Sequence, residues 1–160
     1  MLQTILNNLD NNTSARNNPR LIFKAQFCDN NQDKNIIFNN LTVGVLFDSG
    51  ALCSNYISMK IYKKIEKNLH HDNIKYVKTR TSLADDATTL SSNTMLNLTL
   101  NLQGENESSR QVYNGDFIVL DMKYNDIIIG LPTILFDLWD LFKANVEACK
   151  AKSEVVPKYQ

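Results

Sequence analysis

Residues 94–102, TMLNLTLNL, alternate apolar and polar side chains, and a period of two is the signature of a strand with one buried face. Such a strand needs partners, and the sequence supplies them in short apolar stretches: LIFKAQFC from Leu21, the Ile36 to Phe47 stretch, Ile74 to Leu83, VYNGDFIVLDM with Asn114-Gly115 as a turn signal, and YNDIIIG ending at Gly130. The clusters DNNQDKN, ADDATTLSS and QGENESSR between them are rich in turn-forming residues. Helical spacing occurs twice. Ile57, Ile61, Tyr62 and Ile65 share one face of a helix expected over 57–68, and Leu135, Phe136, Leu138, Trp139 and Phe142 recur after Pro132, which suits a first helical turn. The second helix is expected to pack on the sheet. The fold class is therefore mainly β, with a short helix in the middle and another near the C-terminus.

A chain of 160 residues accommodates one globular domain. Its first 20 residues read as a flexible Asn-rich leader, 21–145 as the folded domain and 146–160 as a polar tail in which Pro157 discourages regular structure. With 17 basic and 17 acidic side chains the formal charge is zero, which speaks against nucleic acid as a partner, and neither a basic stripe interleaved with aromatics nor a Cys/His knuckle is identified. No apolar run approaches the roughly 20 residues of a membrane span, and the N-terminus turns polar too early for a secretory signal. The expectations are a cytoplasmic location and no membrane partner. Cys28, Cys53 and Cys149 are far apart and without CxxC spacing, consistent with reduced thiols and neither a zinc site nor a disulfide framework. Lys60, Lys63, Lys64 and Lys67 read as a solvated helix face. His70 and His71 follow at the expected helix end, where cationic His is favourable; adjacent residues are not expected to converge on one ion, so no metal and no cofactor are anticipated.

The sharpest local signal is the apolar strand Val43-Gly44-Val45-Leu46-Phe47 running directly into Asp48-Ser49-Gly50-Ala51. Asp, Ser and Gly are common turn formers, so the triplet alone indicates only a strand-ending turn. Its context is more informative: about 80 residues later a second apolar strand ends in Ile128-Ile129-Gly130, with a polar hairpin between the two.

In these three segments the sequence resembles the retropepsin-like aspartic protease family. VGVLFDSGALCSNYIS is similar to the family's active-site strand and loop, SLADDATT to the flap hairpin of gypsy-type retrotransposon proteases, and NDIIIGLPTI to the apolar-apolar-Gly strand and following helix. The resemblance spans about residues 40 to 135. It implies a closed, β-barrel-like fold and a homodimer in which each chain lends one catalytic aspartate, here Asp48. It further implies that Ser49 bonds across the two-fold axis, that Gly50 allows close backbone approach, and that Ala51 keeps the pocket floor small. Ala84, Asp85 and Asp86 would form the flap over an extended polypeptide substrate, with Asp86 standing where related flaps commonly carry Gly. Ile128, Ile129 and Gly130 would pack behind the loop as support.

Physical chemistry gives the same arrangement a reason. Hydrolysing a peptide without a metal or a nucleophilic side chain needs a base for the water and an acid for the amide, and two close carboxylates sharing a proton supply both. A chain with one Asp-Ser-Gly holds half of such a site, which a two-fold dimer completes. The expected activity is that of an aspartic endopeptidase processing a retrotransposon or retroviral-type polyprotein. Alternatives are a cellular protease of the DNA-damage-inducible, retropepsin-like type, and a non-catalytic dimerising or peptide-binding module descended from such a protease.

Overall fold

The computed structural model describes residues 23–28, 37–82, 89–104 and 109–155. In chain order these form β1 (Phe23–Cys28), β2 (Ile37–Asp48), β3 (Asn55–Ser58), α1 (Met59–Ile65), two 3-10 turns (Glu66–Asn68 and His71–Asn73), β4 (Ile74–Ser82), β5 (Thr89–Gln103), β6 (Arg110–Leu120), β7 (Ile127–Gly130), α2 (Leu131–Phe136) and α3 (Trp139–Val155). The leader 1–20, the turn cluster before β2, the flap residues Ala84, Asp85 and Asp86, and residues 156–160 lie outside the described residues.

The strands form one sheet in the order β1-β2-β7-β3-β6-β5-β4, and β1 also pairs with β5, so six of them close into a mixed barrel. The protein is thus mainly β, a closed barrel with short helices, as the retropepsin resemblance implied. Closure is possible because β5 is long. Its C-terminal part, Thr99 to Gln103, pairs with β1, while its N-terminal part, Thr89 to Leu96, extends beyond the barrel and pairs with β4. Two of the pairings, β2 with β7 and β3 with β6, are parallel.

Alternation decides which side chains fill the barrel. Leu96, Leu98, Leu100 and Leu102 of β5 are all buried, as are Phe23, Ala25 and Phe27 of β1 and Val43, Val45 and Phe47 of β2. Phe23 and Phe47 stack with centroids 4.0 Å apart and an interplanar angle of 3°, and Phe142 of α3 adds a third ring 5.8 Å from Phe47. This stack clamps the residue immediately before Asp48.

Four sequence expectations are corrected. Asn114-Gly115 is no turn: β6 runs straight through it, pairing Asn114 with Thr99 and Gly115 with Leu98. The glycine is there for space, since a Cβ on Gly115 would meet the Tyr113 ring at 2.2–2.7 Å. The first helix begins at Met59, not Ile57, because β3 occupies Asn55–Ser58 and Ser58 caps the helix by accepting the Ile61 N–H at 3.2 Å. The C-terminal helix is broken between Phe136 and Trp139, where Thr133 O receives both Asp137 N and Leu138 N at 3.0 Å. The break turns Leu138 and Phe142 into the core and leaves Leu135, Phe136 and Trp139 exposed, so the expected apolar stripe is split. Finally, α3 carries on through 146–155, a stretch expected as tail, with Cys149 buried along it.

Candidate active site

Asp48 is the last residue of β2 and stands beside Gly130, the last residue of β7, in parallel register. Its Oδ1 accepts the Gly50 N–H at 2.8 Å and its backbone O accepts Ala51 N at 3.1 Å, so a tight turn orients the carboxylate while leaving it half-buried. Ser49 is buried within the chain at 8% exposure, and Gly50 is exposed beside it. The small residues Ser, Gly and Ala are what permit this folding-back within three positions.

The loop and the end of β7 interlock. A Cβ on Gly130 would lie 2.2 Å from Ser54 O and 2.8 Å from Ala51 O, both backbone atoms, so only glycine fits there. On either side of that contact, Leu131 N donates to Ala51 O at 2.8 Å and Gly130 N donates to Asn55 Oδ1 at 2.9 Å. The Asn55 amide is buried and turns its Nδ2 to Tyr113 Oη at 3.3 Å, which in turn meets Thr133 Oγ1 at 3.3 Å. A chain of polar groups thus ties β3, β6, β7 and α2 together directly behind the Asp48 loop. Asp126, at the entrance of β7, fastens the other end through its backbone O to Ser58 N at 2.8 Å and its Oδ2 to Gly44 N at 3.2 Å.

The predicted support residues divide between two faces. Ile129 pairs with Phe47 and is fully buried in the barrel. Ile128 points the other way and packs half-buried with Ala51, Tyr56, Leu90, Met95, Ile118, Leu120 and Met122. Ile128 thus belongs to an apolar wall that includes Ala51 of the loop, on the face opposite Ile129, because neighbours on a strand face opposite ways. Asn55, Tyr113 and Thr133 were missed by sequence reading. Asn55 was visible as the one amide between the DSG turn and the apolar Tyr56-Ile57, while nothing local marks Tyr113 or Thr133.

His70 and His71 do not stand at a helix end: α1 stops at Ile65, and the two rings, 4.2 Å apart, flank Asp72 in a 3-10 turn. His70 Nδ1 and His71 Nε2 lie 3.2 and 3.1 Å from the Asp72 carboxylate. Contrary to expectation the ligand atoms of the three residues do converge, within 4.8 Å of one another, on an exposed surface. Among the described residues no helix is long and apolar enough to cross a membrane.

No protein-family model and no curated protein matches the chain. Among solved structures, it is similar to the retroviral protease-like domain of Ddi1 from Leishmania major, at 13% identity and a TM-score of 0.43, over 72% of this chain and 74% of that one.

Proposed function

We propose that the protein is an aspartic endopeptidase, active as a homodimer on extended polypeptide. The observation that carries this reading is the Asp48 carboxylate, held by the Gly50 N–H at 2.8 Å yet half open, on a turn interlocked with Gly130. A strand-ending turn alone has no use for a glycine fitted against two backbone carbonyls; a catalytic carboxylate needs such rigidity, because a displacement of about 1 Å costs on the order of a hundredfold in rate. One carboxylate can act as base or as acid. A second copy bringing its own Asp48 supplies the other half, and the apolar wall of Ala51, Tyr56 and Ile128 offers contact for substrate side chains beside the reacting centre.

In this mechanism the two carboxylates share one proton. The ionised one takes a proton from water as the water attacks the peptide carbonyl, and the protonated one donates to the carbonyl oxygen; the proton then passes to the departing amine. Rate is therefore expected to rise and then fall with pH, with its maximum on the mildly acidic side. Processing of a retrotransposon-type polyprotein is the physiological role that this reading favours.

The test is cleavage of a mixed peptide library across pH 4 to 8, taken as roughly the window of such dyads, by the natural chain and by Asp48→Asn. The expected result is cleavage that disappears in the variant while circular dichroism and sedimentation are unchanged. Cleavage that persists in the variant, or a rate still climbing at alkaline pH, would remove the shared-proton dyad from consideration.

A further inference from the structure

On the barrel wall formed by β2, β1 and β5, the Cα partners Val43, Ala25 and Leu102 are buried in the core, so the residues that alternate with them face outward. The registers set these outward residues in two neighbouring rows. Thr42, Gln26 and Asn101 are partners in one; Gly44, Lys24 and Gln103 are partners in the other, which Arg110 of β6 continues opposite Gln103. Together Lys24, Gln26, Thr42, Asn101, Gln103 and Arg110 line a cavity of about 100 Å³.

Every one of these six side chains can donate a hydrogen bond, and none is acidic. Lys24 and Arg110 stand on strands separated only by β5, about 10 Å apart at the backbone, near enough for two long side chains to converge on one ligand. The ammonium brings three donors, and the guanidinium fork suits two oxygens of a single anion. Gln26 Nε2 donates to Thr42 Oγ1 at 3.4 Å, which makes the hydroxyl oxygen an acceptor there and leaves its own hydrogen to point elsewhere. Among the described residues neither Lys24 nor Arg110 forms an ion pair. The Asp126 carboxylate is engaged by the Gly44 N–H at 3.2 Å and does not line the cavity. A single exposed lysine or arginine is ordinarily just solvated. Two cations flanking one cavity, with four neutral donors and no carboxylate around it, bring like charges together in a way that an anion would offset.

We propose that this cavity binds a phosphate group, with Lys24 and Arg110 on its charged oxygens and the amides and hydroxyl on the remainder. Two cations select a dianion over a monoanion such as a carboxylate, and the volume, about that of three water molecules at roughly 30 Å³ each, selects a free phosphate or a small phosphomonoester over a polymer. Thr42 precedes Asp48 by six residues on β2, about 20 Å along the strand, so the site needs no part of the peptidase reading.

The test is a proton–nitrogen NMR titration of the full chain with sodium phosphate at a constant ionic strength of about 0.1 M, where the Debye length is about 10 Å. Saturable shifts are expected in the side-chain resonances of Gln26, Asn101, Gln103 and Arg110, and none from chloride or acetate at the same ionic strength. Lys24→Gln and Arg110→Gln should each weaken binding about tenfold, the worth of a hydrogen bond to a charged group, and the double substitution should abolish it, while Lys63→Gln on α1 leaves it unchanged. All three positions are exposed, so the variants should keep the fold, which circular dichroism checks. Free O-phosphoserine separates the two sources: shifts at the same residues assign the site to a phosphomonoester, and shifts with inorganic phosphate alone assign it to the free ion. Shifts that do not saturate, that chloride reproduces, or that survive the double substitution overturn the proposal. Acetate binding as tightly as phosphate overturns it in favour of a carboxylate ligand.

Discussion

At the scale of single residues, the site is defined by what has no room and what has no access to water. A methyl group on Gly130 would press on the carbonyls of Ser54 and Ala51, neither of which can move without shifting the Asp48 turn. Gly130→Ala is therefore expected to destabilise the fold by about 3 kcal/mol, at the upper end of overpacking costs, and to abolish cleavage even under conditions where the variant stays folded. Urea unfolding together with the peptide assay checks both parts; a variant of natural stability and activity would show that the loop and β7 are not interlocked. The cysteines separate in the same way. Cys53 is exposed five positions after Asp48, whereas Cys28 and Cys149 are buried. Desolvation, only partly offset by a backbone hydrogen bond from Asn101, pushes the Cys28 thiol up. A thiol whose folded-state value is raised contributes stability that is complete below the ordinary thiol range and is lost as pH rises through it, because the unfolded chain ionises first. Iodoacetamide at pH 8 should accordingly label Cys53 within minutes and spare Cys28 and Cys149 until urea is added, which mass spectrometry of the digested chain resolves.

Among the elements, β7 is short, four residues, yet it decides where the Asp48 loop sits. Its parallel pairing with β2 brings Gly130 beside Asp48, and its antiparallel pairing with β3 places Ile127 opposite Ile57 and Ile128 opposite Tyr56. The amide of Asn55 closes the remaining gap, and its orientation depends on Tyr113 from β6. Tyr113→Phe removes one hydroxyl that serves both Asn55 and Thr133. The expected loss is about 1 kcal/mol, the net worth of an ordinary hydrogen bond, seen as a fall of roughly 3 °C in melting temperature for a chain of this size. An unchanged melting temperature would mean that the polar chain behind the loop carries no stability. The strands themselves were legible because alternation is local: Leu96 to Leu102 announces its buried face, and the apolar run into Asp48 announces the end of β2. The partners were not legible, because pairing of β2 with β7 joins residues some 80 positions apart and no local pattern encodes it. Asn114-Gly115 misled for the opposite reason. Its turn propensity is real, but a strand anchored on both flanks by pairing with β5 overrides it, and the glycine serves the Tyr113 ring instead.

For the whole molecule, the number of carboxylates per site is what ties chemistry to assembly. The chain has one Asp-Ser-Gly turn, and the hydrogen bonds that shape it, from Gly50 N to the Asp48 carboxylate and from Ala51 N to Asp48 O, lie within the single chain. If hydrolysis needs two Asp48 carboxylates sharing a proton, a chain carrying Asp48→Asn is more than inactive: it consumes natural chains in mixed pairs that have only one titrating group. Random pairing at equal concentrations puts about half of the natural chains into such pairs, so activity per natural chain should fall about twofold at a one-to-one ratio and further as the variant is raised in excess. The peptide assay at a fixed concentration of natural chain, with the variant titrated in after subunit exchange, measures this directly. A monomeric enzyme would keep its activity at every ratio, since a folded but inactive chain would be a bystander. A stable pair that cannot exchange would also keep it, but only when the two chains are mixed after folding; refolding them together from urea would restore the loss. The decline upon co-refolding is thus the outcome that separates a shared dyad from a site complete within one chain, and it does so without knowledge of the natural substrate.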